Sequence, residues 1–300
     1  MTDRRGALKA AAGALAAAAV AEGAAQPARW RPEPEQRPAR RHAIDVGGTR
    51  LDCWDTGGPG EAVVLLHPNT GSNAVWGYQQ PVFADAGYRV IAYSRRGRGL
   101  SEPGSVDTPG TAVDDLFAVL DALEVERCHL IGSAAGGFIV PDAALSRAER
   151  LRTITIACSL AGIVEERWRS DSAMLTPPGF RQMPPDFREL CGSYRFANPA
   201  GRARWIELEH AATASGRRVD QPARNRIDFA ALGRITVPAL IVTGDADPYL
   251  PPARARALAA MIPRARSAVI AEAGHSAYWE QPDAFNRTVL DFLRAHAGRG

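Results

Sequence analysis

Short apolar runs alternate with amphipathic stretches along most of the chain from residue 42 onward. Runs rich in Val, Ile and Leu predict buried strands, because a strand covered on both faces shows no polar alternation. These runs lie at residues 62–66, 88–93, 127–131, 151–157, 238–243 and 267–270, and helices are predicted at 74–86, 111–123, 135–148, 253–261 and 277–296. Residues 44–46 and 51–54 predict a hairpin around Gly47 and Gly48. This alternation predicts an α/β fold with a mostly parallel, doubly wound sheet that helices cover on both faces.

The alternation stops between about residues 162 and 232. This stretch holds Pro177-Pro178-Gly179, Pro184-Pro185 and several aromatic residues, and only residues 202–212 have a clear helical pattern. Because strands and helices resume at residue 238, we expect an inserted helical cap over the sheet and not a second independent domain. The main domain, including this cap, is predicted to span residues 42–297.

The first 25 residues predict an export signal. Arg4-Arg5-Gly6-Ala7-Leu8-Lys9 resembles the twin-arginine pattern, an alanine-rich apolar stretch follows at residues 10–20, and small residues near Gly23 and Ala25 suit a cleavage site. We therefore expect an exported, periplasmic protein. An alanine-rich helix or a membrane anchor is the alternative, but the apolar run is too short to favour a stable membrane span. Residues 26–41, rich in Pro and Arg, predict a flexible linker.

Composition narrows the classes of function. The chain has 300 residues, of which 46% are hydrophobic and 23% charged, as is ordinary for a globular protein. The net charge is only +3, and no basic block with interleaved aromatic residues indicates nucleic acid binding. Arginine fills every Lys/Arg position other than Lys9, which excludes lysine Schiff-base chemistry from the predicted domain. A small-molecule substrate is therefore the expected partner.

The cysteines and the scattered histidines show no metal-binding pattern. The cysteines form no C-x-x-C pair, and four of the histidines form no H-x-H or H-E-x-x-H motif; these residues are Cys53, Cys128, Cys158 and Cys191, and His42, His129, His210 and His296. Two of the cysteines, Cys128 and Cys158, lie in apolar runs and are expected to pack as small buried hydrophobes, while a disulfide stays an open alternative. Neither a metal nor a cofactor is predicted.

The stretch Gly132-Ser133-Ala134-Ala135-Gly136 follows the strand predicted at residues 127–131. It has the form of a G-x-S-x-G nucleophile elbow, in which the nucleophile lies on a sharp turn between a strand and a helix. The flanking glycines allow neighbouring backbone to approach closely, and they place Ala134 where the serine belongs. Ser133 fits less well, because a G-x-S-x-G motif centred on Ser133 would need a glycine at position 131, where the branched Ile131 stands. An alanine cannot attack a substrate, so other groups must supply the chemistry.

Two polar loops follow later strands. Asp247 lies in Gly244-Asp245-Ala246-Asp247-Pro248, after the run at residues 238–243, and His275 lies in Ala273-Gly274-His275, after the run at 267–270. Histidine suits general-base chemistry because its pKa is near neutral pH, and a carboxylate can orient the imidazole. We therefore expect a pH profile with one limb at roughly pH 6 to 7.

These motifs and the order of elements resemble the α/β-hydrolase superfamily over about residues 42–297, in particular its esterases, lactonases and carbon–carbon bond hydrolases. The resemblance implies that His275 is the catalytic base, that Asp247 is its acid partner and that Ala134 occupies the nucleophile position. It also implies an oxyanion hole formed by two backbone amides, one after the elbow and one after the third strand. These amides would belong to Ala135 and Asn69.

The predicted oxyanion loop departs from the family pattern. His67-Pro68-Asn69-Thr70-Gly71 stands where the family usually has H-G-x-G, and Pro68 has no N–H to donate. The amide of Asn69 can still serve, and its side chain could add a donor. Five further residues are candidates to line a substrate pocket, with core packing as the alternative at the cap positions: Ser133, Trp168, Trp205, His210 and Trp279.

Three functions fit these residues. An enzyme without a serine nucleophile would use His275, Asp247 and the oxyanion hole on a small carbonyl compound, such as an ester, a lactone or a 1,3-dicarbonyl compound. Hydrolysis by activated water, a lyase step and cofactor-free proton transfer all suit that arrangement. The second candidate is an ordinary serine hydrolase with a Ser-to-Ala change at position 134, and the third is a non-catalytic ligand-binding protein. The paired Asp247 and His275 favour an enzyme, because a receptor needs neither residue.

Overall fold

A computed structural model describes residues 30–217 and 219–298. The predicted export signal, residues 1–25, lies outside the described residues. Within the described part, the strands are β1 (Arg40–Asp45), β2 (Arg50–Asp55), β3 (Ala62–Leu66), β4 (Arg89–Tyr93), β5 (Cys128–Ser133), β6 (Leu151–Ala157), β7 (Ala239–Gly244) and β8 (Ala265–Ile270). They form one sheet in the order β1-β2-β4-β3-β5-β6-β7-β8. Only the pairs β1–β2 and β2–β4 are antiparallel among them, so the prediction of a mostly parallel sheet is confirmed.

The helices are distributed along the whole described chain. They are α1 (Gln80–Asp85), α2 (Ala112–Ala122), α3 (Gly136–Ser146), α4 (Glu166–Leu175), α5 (Pro185–Glu189), α6 (Gly192–Ala197), α7 (Pro199–Thr213), α8 (Phe229–Leu232), α9 (Pro252–Met261), α10 (Ala277–Glu280) and α11 (Pro282–Arg294). Short 3₁₀ turns lie at Asn73–Trp76, Ala148–Arg150 and Phe180–Gln182.

Two predicted helices are each divided in the structure. Residues 74–86 form a 3₁₀ turn followed by α1, and residues 277–296 form α10 and α11. Pro81 stands at the second position of α1, and Pro282 at the first position of α11. Proline begins a helix readily because its missing N–H needs no partner there, but it cannot continue a preceding helix. The prolines therefore explain both divisions.

Alternate side chains of the central strands belong to two separate hydrophobic cores. Val64 and Leu66 of β3 lie in one core, and Val63 and Leu65 lie in the other. Because successive side chains of a strand point to opposite faces, one core lies on each face of the sheet. The first core includes side chains from α2, α3 and α9, and the second includes side chains from α7, α10 and α11. The sheet is therefore covered on both faces, as expected.

Between β6 and β7 the chain forms α4 to α8, in the region predicted as a cap. Near the end of this segment, the N–H groups of Arg224 and Asn225 donate to the buried carboxylate of Asp142 in α3, at 2.8 and 2.9 Å. Near its beginning, the guanidinium of Arg254 in α9 lies 4.1 Å from the centre of a Trp168 ring in α4. These contacts attach the segment to helices that pack on the sheet.

Residues 30–39, part of the predicted linker, contact both the α4–α8 segment and the main domain. The N–H of Trp30 donates to Oδ1 of Asn198, which lies between α6 and α7, at 2.6 Å. The guanidinium of Arg37 makes two hydrogen bonds to Asp85 in α1, at 2.6 and 2.7 Å. This part of the linker is therefore docked on the surface, although an exposed ion pair contributes only about 0 to 1 kcal/mol.

The described residues also bear on the expectations about disulfides, metal sites and membrane spans. All four cysteines lie within the described ranges as buried free thiols, and no disulfide joins any two of them there. Among residues 30–217 and 219–298, no group of three His, Cys, Asp or Glu side chains is placed to hold a metal ion. Within the same ranges, every helix is too short or too polar to cross a bilayer.

The elbow glycine at position 136 is predicted to be essential for folding. A Cβ at Gly136 would lie 2.2 Å from the carbonyl oxygen of Leu66, which is backbone and cannot move aside. We expect Gly136→Ala to lower the free energy of unfolding by about 3 kcal/mol, as overpacking does in a close-packed core. Urea denaturation measures this change. The matched control is Gly192→Ala, because its new Cβ would meet nothing closer than 4.0 Å; equal losses in both variants would contradict the explanation.

Candidate active site

Position 134 is the apex of the turn between β5 and α3. The backbone of Ala134 has a φ of +49°, in the left-handed region that a residue with a Cβ adopts only when its surroundings require it. A Cβ at Gly132 would lie 2.4 Å from the carbonyl oxygen of Gly136, so the two glycines allow the chain to fold back on itself. This is the geometry of a nucleophile elbow, and the strained residue is the one that the glycine frame indicates.

Two nearby side chains are poor substitutes for the missing nucleophile. Ser133 is fully buried, and its Oγ has no hydrogen-bond partner among the described residues. It is therefore not activated by a base. Cys158 follows β6 and is also buried, and burial raises the pKa of its thiol well above the ordinary value. A protonated thiol is a weak nucleophile, so Cys158 does not replace the serine.

His275 and Asp247 form the predicted pair. Nδ1 of His275 lies 2.9 Å from Oδ1 and 3.0 Å from Oδ2 of Asp247, and both residues are buried. The carboxylate also accepts hydrogen bonds from the N–H groups of Tyr249, at 2.8 Å, and Leu250, at 3.0 Å. Nε2 of His275 makes no hydrogen bond to a described residue, so this nitrogen is available to a water or a substrate. The pair thus has the orientation that a general base requires.

Two neighbouring residues at the end of β6, Ala157 and Cys158, contact the elbow on one side and the histidine loop on the other. The N–H of Ala134 donates to the carbonyl oxygen of Ala157 at 2.9 Å. The next residue, Cys158, has its Sγ 3.8 Å from the carbonyl oxygen of Gly274, which precedes His275. The sheet order β5-β6-β7-β8 therefore brings the elbow, Asp247 and His275 to the same edge, where the parallel strands end.

The charges of the pair shift both pKa values. Burial raises the pKa of Asp247, but the charge and hydrogen bond of His275, together with backbone N–H donors, outweigh burial and lower that pKa below its ordinary value. Burial lowers the pKa of His275, but the charges of Asp247 and Glu189 outweigh burial and raise that pKa to about 9. The limb of the pH profile that the sequence predicts at roughly pH 6 to 7 is therefore expected at higher pH, because buried carboxylates favour the imidazolium form of His275.

Two acidic residues hold the histidine loop in place. The carboxylate of Asp245 accepts hydrogen bonds from the N–H groups of Glu272, at 3.0 Å, and Ala273, at 3.2 Å. The carboxylate of Glu280 accepts a 2.8 Å hydrogen bond from the N–H of Gly274. Burial raises the pKa of Glu280 to about 7. Asp245 and Glu280 thus support the loop that carries His275.

The predicted oxyanion amides are not used within the protein. No described residue accepts a hydrogen bond from the N–H of Ala135 or of Asn69. The buried His67 fixes the second loop, because its Nδ1 donates to the carbonyl oxygen of Pro68 at 2.7 Å and its Nε2 accepts from the N–H of Arg95 at 2.9 Å. Burial lowers the pKa of His67 and keeps it neutral, as the acceptor role requires. The exposed side chain of Asn69 instead accepts a 2.7 Å hydrogen bond from Arg98.

The five residues predicted to line a pocket lie in different surroundings, and one of them, Trp279, lines a small cavity together with Trp30 and Tyr194. Ser133 is buried in β5, and the three tryptophans belong to the two hydrophobic cores: Trp168 to the first, and Trp205 and Trp279 to the second. The side chain of His210 on α7 is 75% exposed and lies 3.8 Å from Glu209. Apolar side chains of this size gain more by joining a core than by lining an open site, which explains where the tryptophans lie.

Other residues surround His275 instead. The ring of Tyr249 lies 4.2 Å from the imidazole, centre to centre, and Phe180 contacts that tyrosine edge-on at 5.4 Å. The backbone oxygen of Glu189 accepts the N–H of His275 at 2.8 Å. The sequence offers one signal for Tyr249, since it stands two residues after Asp247, but Phe180 and Glu189 come from the α4–α8 region that lacks a readable pattern.

Comparison with known proteins adds independent support for the family. The family described as "Alpha/beta hydrolase family" matches residues 63–288. The 2-hydroxy-6-oxononadienedioate/2-hydroxy-6-oxononatrienedioate hydrolase of Cupriavidus pinatubonensis is 30% identical over 277 residues, which cover 81% of this chain and 90% of that protein. The 2-hydroxy-6-oxo-6-phenylhexa-2,4-dienoate hydrolase of Comamonas testosteroni is 28% identical over 260 residues, covering 80% of this chain and 90% of that protein.

Solved structures are similar as well. The enol-lactonase from Burkholderia xenovorans superposes with a TM-score of 0.64 at 25% identity, covering 85% of this chain and 100% of that one. The sheet order, the strained elbow and the Asp247–His275 contact agree with what the family match indicates. Because the matched segment includes most of the residues, this chain belongs to the α/β-hydrolase family.

Proposed function

We propose that this protein hydrolyses a small carbonyl compound (an ester, a lactone or a 1,3-dicarbonyl compound) with water that His275 activates and without a covalent intermediate. One observation carries the proposal: the apex of the elbow is an alanine, yet the buried Asp247–His275 pair beside it keeps its hydrogen bonds. The names of the relatives, which are hydrolases and a lactonase, support a carbonyl substrate.

The proposed reaction needs only groups that the site contains. Nε2 of His275 takes a proton from water while the water oxygen forms a bond to the carbonyl carbon of the substrate. The N–H groups of Ala135 and Asn69 stabilise the resulting oxyanion. The imidazolium then returns its proton to the leaving group as the bond between that group and the carbonyl carbon breaks. An ester and one water thus become an acid and an alcohol, and His275 is neutral again.

The absent serine does not remove the rest of the catalytic site. The side chain of Ala134 is only a methyl group, so it cannot form a hydrogen bond that competes for Nε2 of His275. In serine hydrolases, loss of the nucleophile leaves roughly 10³-fold acceleration over water from the oxyanion hole and substrate binding. A base that acts on water adds to the contributions of the oxyanion hole and of substrate binding, because it raises the reactivity of the attacking oxygen.

Removal of the base is expected to abolish most of the activity. His275→Gln should lower kcat/KM roughly 10²- to 10⁴-fold, the usual contribution of a general base. Assays with panels of esters, lactones and 1,3-diketones measure this loss. His210→Gln serves as the control, since that side chain is 75% exposed on α7, and it should leave kcat/KM unchanged. If His275→Gln turned over every substrate as well as the unaltered protein does, His275 would not be the base, and ligand binding would explain the site better.

The pH profile follows from the raised pKa of His275, which is about 9. A general base must be neutral, so kcat/KM should rise with pH and reach half of its maximum near pH 9. Asp247→Asn removes one of the charges that favour the imidazolium, and the midpoint should therefore fall. Initial rates, corrected for spontaneous hydrolysis of the substrate, measure both profiles. A flat profile from roughly pH 6 to 10 is incompatible with a histidine base.

Restoring the nucleophile should change the mechanism. In Ala134→Ser the new hydroxyl would stand at the apex of the elbow, and we expect an acyl-enzyme that intact-mass spectrometry detects after mixing with an activated ester. The unaltered chain should give no adduct, and neither should Ala134→Ser combined with His275→Gln, which lacks the activating base. An adduct on the unaltered chain would show that another residue is the nucleophile and would refute direct attack by water.

A further inference from the structure

Glu189, the last residue of α5, lies directly against the loop that carries the base. Its carbonyl oxygen accepts hydrogen bonds from the N–H groups of His275, at 2.8 Å, and Ser276, at 3.1 Å. A Cβ at Gly274 would lie 2.9 Å from the same oxygen, so only glycine permits this approach. The end of α5 is therefore fixed to the histidine loop by backbone contacts.

The carboxylate of Glu189 is unusual for a buried acid. The residue is 7% exposed, and Oε2 has no hydrogen-bond partner in the part of the chain that the structure describes. A buried carboxylate without hydrogen bonds needs a neighbouring positive charge or must become protonated. Burial raises the pKa of Glu189, and the positive groups that oppose this rise are His275 and Arg188. Since Arg188 is partly exposed and its Nε donates to the carbonyl oxygen of Met183 at 3.0 Å, the imidazolium is the buried cation that can compensate Glu189.

Charged and titratable groups reach the imidazole from several elements. Three carboxylates act on it, from the loop after β7, from α5 and from α10, while a phenol lies against the ring; these groups are Asp247, Glu189, Glu280 and Tyr249. Three further charged groups interact electrostatically with Glu189. They are Asp247 from the loop between β7 and α9, Arg188 from α5, and Glu209 from α7. Of the three carboxylates, Glu280 accepts from backbone N–H donors and Asp247 from the ring and the backbone, whereas Oε2 of Glu189 has no donor among the described residues.

We propose that Glu189 is a positioning residue of the acid–base site, whose buried carboxylate acts with Asp247 to hold His275 in its protonated form. The inference rests on the proposed function, in which His275 is the base. Asp247 follows β7, whereas Glu189 belongs to the α4–α8 segment, so the two carboxylates that act on the imidazole come from separate parts of the chain.

The test is a titration of His275 that does not require activity. Histidines of the full-length protein are labelled with ¹³C at Cε1, and the His275 signal is assigned by its absence from the spectrum of His275→Gln. In the unaltered protein the midpoint should lie near pH 9. Glu189→Gln, which keeps the shape and removes the charge, should lower the midpoint by roughly one pH unit, the size of shift that a nearby opposite charge produces. Glu189→Asp should restore part of that shift, and Glu207→Gln, on the exposed side of α7, should produce none.

An unchanged midpoint in Glu189→Gln would overturn the proposal, whatever the activity of the protein. Inactivity of the unaltered protein on every substrate would instead refute the proposed function and leave the titration result standing. A second measurement covers a loss of folding: the urea midpoints of the unaltered chain, Glu189→Gln, His275→Gln and the double variant form a cycle. Removing the imidazole should destabilise the chain more when Glu189 is present, because that charge then loses its compensation. Equal losses in both backgrounds would contradict the pairing.

Discussion

The turn between β5 and α3 exists only because backbone segments approach one another more closely than side chains allow. The carbonyl oxygens of Gly136 and Leu66 occupy the space that a Cβ at Gly132 or at Gly136 would need, and this crowding drives residue 134 into a left-handed conformation. The N–H of Ala135 is left without an acceptor for the same reason, since it points out of the turn at the start of a helix. The turn therefore leaves this N–H available independently of the side chain at its apex.

Burial gives the remaining charges their strength. Asp247, His275 and Glu189 are all buried at the edge where the parallel strands end, and each charge is screened by little solvent. Desolvation alone would neutralise all three, but the mutual attraction of the carboxylates and the imidazolium outweighs it at His275 and Asp247, whereas burial still raises the pKa of Glu189. These buried groups come jointly from the loops that follow the sheet strands and from the α4–α8 segment.

Much of the fold and the pairing of Asp247 with His275 could be predicted from local patterns. The runs that became β3 and β7 are rich in Val, Ile and Leu, and polar loops with Asp247 and His275 follow strands that a parallel sheet brings to one edge. The surroundings of the imidazole could not be predicted, because an aromatic side chain in an irregular segment has no periodicity that tells its core face from its open face. Trp168, Trp205 and Trp279 belong to the two cores, whereas the ring of Tyr249 lies against the imidazole and the carbonyl oxygen of Glu189 accepts the N–H of His275.

The sequence by itself determined which chemical groups this protein has: an alanine in the glycine frame of the elbow, one aspartate and one histidine after the proper strands, and no lysine after Lys9. Such properties follow from residue identity and from spacing within a few residues of the chain. Only the tertiary structure decided the surroundings of those groups, since Glu189 stands 86 positions before His275 (275 − 189 = 86) and its carbonyl oxygen meets the N–H of His275 through folding alone. Electrostatic shifts depend on distance and burial in space, and neither quantity is encoded in local sequence.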